Sequence, residues 1–356
     1  MIAIIVRRGN SHPELAEVPD PIPEAGEALL RTLRVGIDGT DHEVIQGNHG
    51  GYPEGDDYQI LGHEAVAIVE DPNGTDLEEG ELVVPTVRRP PDGTNDYFKQ
   101  GEPDMASDGH YVERGIVGAH GYMSEFFTSS PEFLVSVPDS FAEYGFLVEP
   151  ISNSEKAFEH AFASRSAFEW DPESALVLGN GPLGLLTLAM LETPSSPFER
   201  NYCLGRRDRP DPTIEIIERL GSTYVDSRET SVNMMPDAHE AVDLVYEATG
   251  YAKHAFETVD ALMPNGVGAL LGIPSNWEFE VDGGRLHREI VLKNKALFGS
   301  VNSNVRQFEA AKTRLAEFPN WFFDEFVTGV YAPREAEAAF KTGDDIIKTV
   351  VEFDTQ

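Results

Sequence analysis

Three short stretches carry residue types able to do chemistry. Gly62-His63-Glu64 sets an imidazole beside a carboxylate at the start of the apolar run 65–69. Asp38-Gly39-Thr40-Asp41-His42 and Val148-Glu149-Pro150 add further carboxylates and a second imidazole. Imidazole nitrogen and carboxylate oxygen are donors that hold a zinc ion, and zinc acts as a Lewis acid on a bound oxygen. Taken singly, each stretch is weak. A lone carboxylate is normally a solvated surface group, and a lone histidine is more often structural.

A fourth stretch is stronger because of its context. Gly179-Asn180-Gly181-Pro182-Leu183-Gly184 follows the continuous apolar run 175–178 and opens an apolar helix at 185–191. A buried strand, a Gly-x-Gly-x-x-Gly turn and a helix form the dinucleotide fingerprint. The first glycine permits the tight turn, the second lets backbone approach a pyrophosphate, and the third lets helix pack on strand. Pro182 suits the first turn of a helix. The next strand ends in Leu204-Gly205-Arg206-Arg207-Asp208-Arg209. An arginine pair after a small residue matches a 2′-phosphate, because guanidinium forks match phosphate oxygens. NADP is therefore expected over NAD, with Asp208 as the ribose partner if NAD also binds.

These residues need a scaffold, and the chain is long enough to supply one. At 356 residues it can form two domains. Residues 2–6, 28–35, 121–127 and 133–137 read as strands, and 86–118 is a Pro/Gly/Asp-rich excursion with little periodicity. From 151 the pattern changes to a helix at 151–162, followed by alternating strand and helix signals to 300. That alternation predicts a doubly wound parallel sheet. Helical and strand signals after 304 (308–315, 327–330, 349–353) return to the first domain. The expected class is α/β: a β-rich domain over 1–150, a nucleotide domain over 151–303 and a return segment over 304–356.

Composition narrows the setting. The formal net charge is −35, and only eight of the 27 basic residues are lysine. The acids are scattered rather than blocked, so the chain reads as a folded protein adapted to a salt-saturated cytoplasm. Nothing basic offsets the acid, which argues against nucleic-acid binding. No apolar run is long enough to span a membrane, and the N-terminus lacks signal-peptide features. The single cysteine, Cys203, excludes an internal disulfide or a multi-cysteine metal cluster. Asp92, Asp96, Glu102, Asp104, Asp108 and His110 read as a hydrated acidic loop, with weak binding of a hard cation as the alternative.

Taken together, the three carboxylate/imidazole stretches ahead of the nucleotide turn resemble the zinc-dependent medium-chain dehydrogenase/reductase superfamily over essentially the whole chain. Gly62-His63-Glu64 matches its metal motif, Gly39-Thr40-Asp41 the stretch after its first zinc ligand, and Leu147-Val148-Glu149-Pro150 the stretch bearing its third. Asp38 stands where that superfamily usually has cysteine, Ala67 stands where it usually has glycine, and 86–118 lacks the four cysteines of its structural-zinc lobe. Both the Asp38 and the cysteine departures, with the acidic surface and Arg206-Arg207, look like the glucose 1-dehydrogenases of halophilic archaea. The resemblance implies a GroES-like catalytic domain with a Rossmann domain, one catalytic zinc and no structural zinc. It implies zinc ligation by Asp38, His63 and Glu149, with Glu64 entering the shell or standing behind it. Two carboxylates harden such a site, so Mn²⁺ or Mg²⁺ are alternative occupants. It further implies Thr40 as the proton-passing hydroxyl and Glu113, Glu149 and Asn302 as sugar contacts, with Leu271-Gly272-Ile273 and Ser300-Val301-Asn302 lining the nicotinamide end and Thr249-Gly250 bordering the cofactor. The implied product is a lactone formed from glucose or another aldose, and the implied assembly is a homodimer or a tetramer. The competing expectations are a zinc polyol or alcohol dehydrogenase and a metal-free NADPH-binding reductase.

Overall fold

The computed structural model describes residues 1–355. Two compact units are present. One comprises 1–152, 302–315 and the chain from 326 on; the other comprises 153–301 and 316–325.

The first unit is built on a seven-stranded sheet. Its central strand, Ala28–Ile37, pairs antiparallel with Glu64–Asp71 on one side and with Lys348–Glu352 on the other. The strand Glu64–Asp71 is buried over its first six residues, so its sequence runs apolar without alternation. A smaller sheet of Glu14–Glu17, Ile2–Arg7 and Tyr58–Ile60 closes over the same core, which includes Ile4, Val35, Leu61, Tyr122 and Met123. Residues 121–125, expected to be strand, differ. Gly121, Tyr122 and Met123 donate backbone hydrogen bonds to the carbonyls of Ile60, Gly62 and Leu61, and regular pairing begins only at Phe126–Ser129. A Cβ on Gly121 would lie 2.2 Å from the Leu61 carbonyl, so the chain packs against the Leu61-Gly62 turn, and 123–125 meet the strand Ile2–Arg7 only through one bridge, with the Ile4 N–H donating to Met123 and the Glu125 N–H to Ile2. The excursion at 86–118 folds into short pieces, including the cross-strand pair Arg88–Arg89 with Val112–Arg114.

The second unit holds a six-stranded parallel sheet. Numbered along the chain within this unit, its strands run in the order 3-2-1-4-5-6, from Thr223–Asp226 through Ser174–Leu178 to Ala296–Gly299. This is the doubly wound order whose crevice lies at the reversal next to the first strand. The strand Ser174–Leu178 is buried at every position, as a parallel strand covered on both faces must be.

One boundary expectation is corrected. Residues 316–325 do not return to the first unit. The helix Asn320–Phe326 packs on Pro212–Leu220: the Arg219 guanidinium lies 4.1 Å from the Trp321 ring centre and pairs with Glu325, while Ser195 Oγ donates to Glu317 at 2.8 Å. Aromatic residues in a short run gave no periodic signal to separate this helix from the return segment. Among the described residues, no helix is long and apolar enough to cross a membrane.

Candidate active site

Each ligand-type side chain is placed by a turn at the end of a regular element. The strand Ala28–Ile37 ends at Asp38, which caps the helix Gly39–Gln46. One Asp38 oxygen accepts from the Thr40 and Asp41 backbone N–H groups at 2.8 and 3.2 Å. Its other oxygen stands 3.7 Å from His63 Nε2. Asp41 reciprocates: one oxygen accepts from the Asp38 N–H and the other from the Gly62 N–H, both at 3.1 Å. A single buried carboxylate therefore ties the Asp38 turn to the His63 turn.

Gly62 has φ +84°, and a Cβ there would lie 2.6 Å from Met123 and 2.7 Å from Val35. Only glycine takes this close turn, which delivers His63 to the interior. Glu64 opens the strand behind it, opposite Gly36. Glu149 sits in the first turn of the helix Val148–Arg165. That helix begins three residues before the expected 151, and the positive end of its dipole suits the carboxylate. Donor atoms of Asp38, Asp41 and His63 lie within 4.8 Å of one another, as do those of His63, Glu64 and Glu149. His63 is common to both groups.

Four carboxylates around one imidazole leave excess negative charge. Burial alone lowers the His63 pKa, but Asp38, Asp41, Glu149 and Glu64 override it and raise it to about 9. Burial, with help from Asp38, pushes Asp41 up to about 7 against the pull of His63. His63 Nδ1 is buried without a hydrogen-bond partner. Surplus anion, an orphaned imidazole nitrogen and an all-N/O donor set fit a dication. Asp41, whose two oxygens are both engaged by backbone, is scaffold. Reading the sequence did not single it out, although Asp-x-x-Asp ahead of a helix is a capping signature. Lys348 was missed as well: its ammonium lies 2.5 Å from Glu64 Oε2, with both side chains buried.

Thr40 is half-buried, and its hydroxyl donates to Asp38 Oδ2 at 3.3 Å. Glu113 and Asn302, far apart in sequence, meet: Asn302 Nδ2 donates to Glu113 Oε1 at 3.3 Å. Asn302 holds φ +55°, a left-handed backbone uncommon outside glycine.

In the second unit, Gly179 has φ +112°, and a Cβ on Gly184 would fall 1.9 Å from the Gly179 carbonyl, so the turn and helix are in direct contact. Gly181 caps the helix Pro182–Leu191 with no side chain bonding its first N–H groups, and a Cβ there would meet nothing within 4 Å. Free N–H groups facing open space make an anion cradle. Leu183 is half-buried behind it. The Asn180 side chain does not face the cradle. Its amide donates to Thr213 Oγ1 at 2.7 Å, and its carbonyl oxygen lies 2.5 Å from where a Gly205 Cβ would stand. Arg206 is exposed, whereas Arg207 lies 3.6 Å from Asp211 and Asp208 is paired with Arg228 at 2.7 Å. Gly272 packs on Gly250: a Cβ on Gly272 would come within 2.1 Å of the Gly250 backbone nitrogen, next to Leu271 and an Ile273 that is 73% exposed. Ser300 Oγ is buried without a partner, and Val301 beside it is exposed.

Comparison with known proteins places these features in context. Residues 24–139 match the alcohol dehydrogenase GroES-like domain family, and 142–353 match the glucose dehydrogenase C-terminus family. A glucose 1-dehydrogenase of Haloferax mediterranei is 65% identical over 356 residues, and one of Haloarcula marismortui is 63% identical, each covering the whole of both chains. A solved structure of the Haloferax mediterranei glucose dehydrogenase, in complex with NADP, Zn and gluconolactone, superposes with a TM-score of 0.98 over the full length of both chains. Two family matches, full-length relatives and a site built on the same three stretches give one conclusion: the chain belongs to the glucose dehydrogenase family of the zinc-dependent medium-chain dehydrogenase/reductase superfamily.

Proposed function

We propose that this chain oxidises D-glucose, or an aldose of like stereochemistry, at C1 to the lactone with hydride transfer to NADP. The observation that carries the reading is the gathering of Asp38, Glu64 and Glu149 carboxylates around the buried His63 imidazole. The relative solved with NADP, Zn and gluconolactone supports the same chemistry.

Asp38, His63 and Glu149 are the assigned zinc ligands, and Glu64 stands behind them. When bound, zinc supplies a Lewis acid for the C1 hydroxyl and NADP supplies the hydride acceptor. The protein's own residues do the rest. Thr40 takes the C1 hydroxyl proton on its oxygen and releases its own to water once its O–H turns away from Asp38 Oδ2, to which it donates at 3.3 Å here. Glu113, Glu149 and Asn302 accept and donate to the remaining sugar hydroxyls and orient C1. The Gly179–Gly184 turn takes the pyrophosphate, and Arg206, with Arg207 beside it, takes the 2′-phosphate. Leu271, Gly272, Ile273, Ser300 and Val301 line the nicotinamide end. The first unit is thus the catalytic domain and the second the NADP domain. The edge strand Ala296–Gly299, paired on one side only among the described residues, suits a two-fold partner strand. A homodimer in the cytoplasm completes the reading.

The test is NADPH formation from D-glucose and other sugars in molar KCl, before and after dialysis against a chelator. Turnover that survives complete zinc removal would sink the metal assignment, and absence of lactone formation from any aldose would sink the substrate.

A further inference from the structure

The segment 86–118 contains no cysteine, yet it is folded. Its hub is Arg88, whose side chain is 4% exposed. Arg88 Nη1 donates to the carbonyl oxygens of Pro103, Asp104 and Ala106 at 3.2, 2.9 and 3.4 Å. The Arg88 guanidinium carbon lies 3.7 Å from the Tyr111 ring centre. Arg88 Nε donates to Glu113 Oε1 at 3.0 Å, from directly across the strand pair. One side chain thereby gathers a loop, a ring and a carboxylate. The acids of this segment are not uniformly hydrated, contrary to the sequence-based expectation: Asp104 is buried and accepts from Asn304 Nδ2 at 2.8 Å.

The arrangement is asymmetric at Glu113. Both of its donors, Arg88 Nε and Asn302 Nδ2, converge on Oε1. Oε2 has no protein partner among the described residues. A carboxylate held by one oxygen presents the other in a fixed direction. The location is close to the metal turn, because Gly115, two residues on, sits where a Cβ would be 2.4 Å from the Gly62 carbonyl, directly before His63.

We propose that Arg88 is a positioning residue for the sugar: by holding Glu113 Oε1 on a guanidinium anchored to three carbonyls, it aims Oε2 at a substrate hydroxyl. This rests on the reading of Glu113 as a sugar contact. Lysine keeps the charge at this position but lacks the fork that reaches the carbonyls and the carboxylate at once.

The experiment is a double-mutant cycle on the zinc-loaded enzyme in molar KCl, with Arg88→Lys, Glu113→Gln and the pair, reading KM for glucose, kcat, KM for NADP and thermal midpoint. Arg88→Lys raises the glucose KM about tenfold, with kcat and the NADP KM within about twofold of the parent. Glu113→Gln raises the glucose KM to a similar extent. The double variant is no worse than Glu113→Gln alone, because the arginine acts through the carboxylate. An unchanged glucose KM in Glu113→Gln overturns the sugar role of Glu113 and the proposal with it. A raised KM in Glu113→Gln alongside a normal Arg88→Lys, or effects that multiply in the double variant, overturns the positioning role of Arg88 alone. Should Arg88→Lys not fold, the cycle is run with Arg88→Gln, whose shorter carboxamide cannot bond the three carbonyls and Glu113 at once, and the same outcomes support or overturn the proposal. Failure of both to fold assigns Arg88 to the fold and overturns the proposal.

Discussion

Lys348 Nζ lies 2.5 Å from Glu64 Oε2, and neither side chain is more than 2% exposed. Gly36 makes the contact possible, since a Cβ there would fall 2.3 Å from Glu64 Oε2 and 3.0 Å from Lys348 Cε. A buried ion pair adds little net stability over an apolar pair, but breaking it from one side leaves an uncompensated buried charge, which costs about 3–5 kcal/mol. Lys348→Met is therefore expected to lose stability of that order, and Glu64→Gln combined with Lys348→Met to recover much of it. Urea unfolding at fixed molar KCl measures both. Equal stability of the parent and Lys348→Met would contradict a buried charged pair. Gly36→Ala is expected to disturb the same pair and to lower turnover.

The zinc assignment makes a separable prediction about binding and chemistry. Asp38→Ala and His63→Ala each remove a donor from a site whose Lewis acidity lowers the barrier by several kcal/mol, so turnover falls by about a thousandfold or more. The residues proposed to hold NADP lie elsewhere in the chain, so its dissociation constant, read by fluorescence titration, is expected to stay within about twofold. Zinc content by elemental analysis falls in parallel with turnover. Normal turnover in either variant would remove that residue from the ligand set.

The legibility of this chain was uneven for physical reasons. Gly179, Gly181 and Gly184 were readable because the turn fixes their spacing locally, and the cradle they form is one helix terminus. His63, Asp38 and Glu149 were readable only as a set, since each alone has a common structural role. Glu113 and Asn302 came from the resemblance, and their meeting at 3.3 Å is a tertiary fact that no local pattern encodes. Lys348 was invisible for the same reason. A lysine at the start of a late strand reads as a surface group, and only the antiparallel pairing of its strand with Ala28–Ile37 brings it to Glu64. The parallel sheet followed from strand–helix alternation, whereas 121–125 differs because it meets the strand Ile2–Arg7 only through the isolated Ala3–Ser124 bridge while Tyr122 and Met123 donate to the Leu61-Gly62 turn.

Arg206 and Arg207 are not equivalent, although they read as a pair. Arg206 is exposed, while Arg207 has Asp211 3.6 Å away, and the Arg207 N–H donates to Tyr224 Oη at 2.8 Å. A charge-assisted hydrogen bond to a phosphate contributes roughly 1.5–3 kcal/mol, so Arg206→Ala is expected to raise the NADP KM about tenfold to a hundredfold and to leave NAD almost unchanged. Arg207→Ala is expected to have the smaller effect on NADP. Steady-state kinetics with both nucleotides decide the matter, and an unchanged NADP/NAD preference in the double variant would remove the 2′-phosphate from this strand end.

Cys203 offers a probe of how the acidic surface and the nucleotide turn depend on solvent. Its side chain is fully buried, its Sγ donates to the Gly179 carbonyl at 3.6 Å, and burial pushes the thiol up to about 12. With a net charge of −35, the folded chain repels itself, and screening contracts to about 3 Å only near molar salt. The thiol is thus expected to resist a disulfide reagent at pH 8 in molar KCl and to react fully after dilution to low salt, in step with the loss of circular dichroism. The pH dependence has a defined sign. The folded thiol titrates above its unfolded value near 9, so its contribution to stability is complete below about pH 9 and is lost as pH rises from there toward 12. Urea midpoints between pH 8 and 11 should therefore fall more steeply for the parent than for Cys203→Ala. Parallel slopes would mean that the buried thiol is not the titrating group, and rapid modification of the protein in molar KCl would mean that the strand beneath Gly179 opens in the native state.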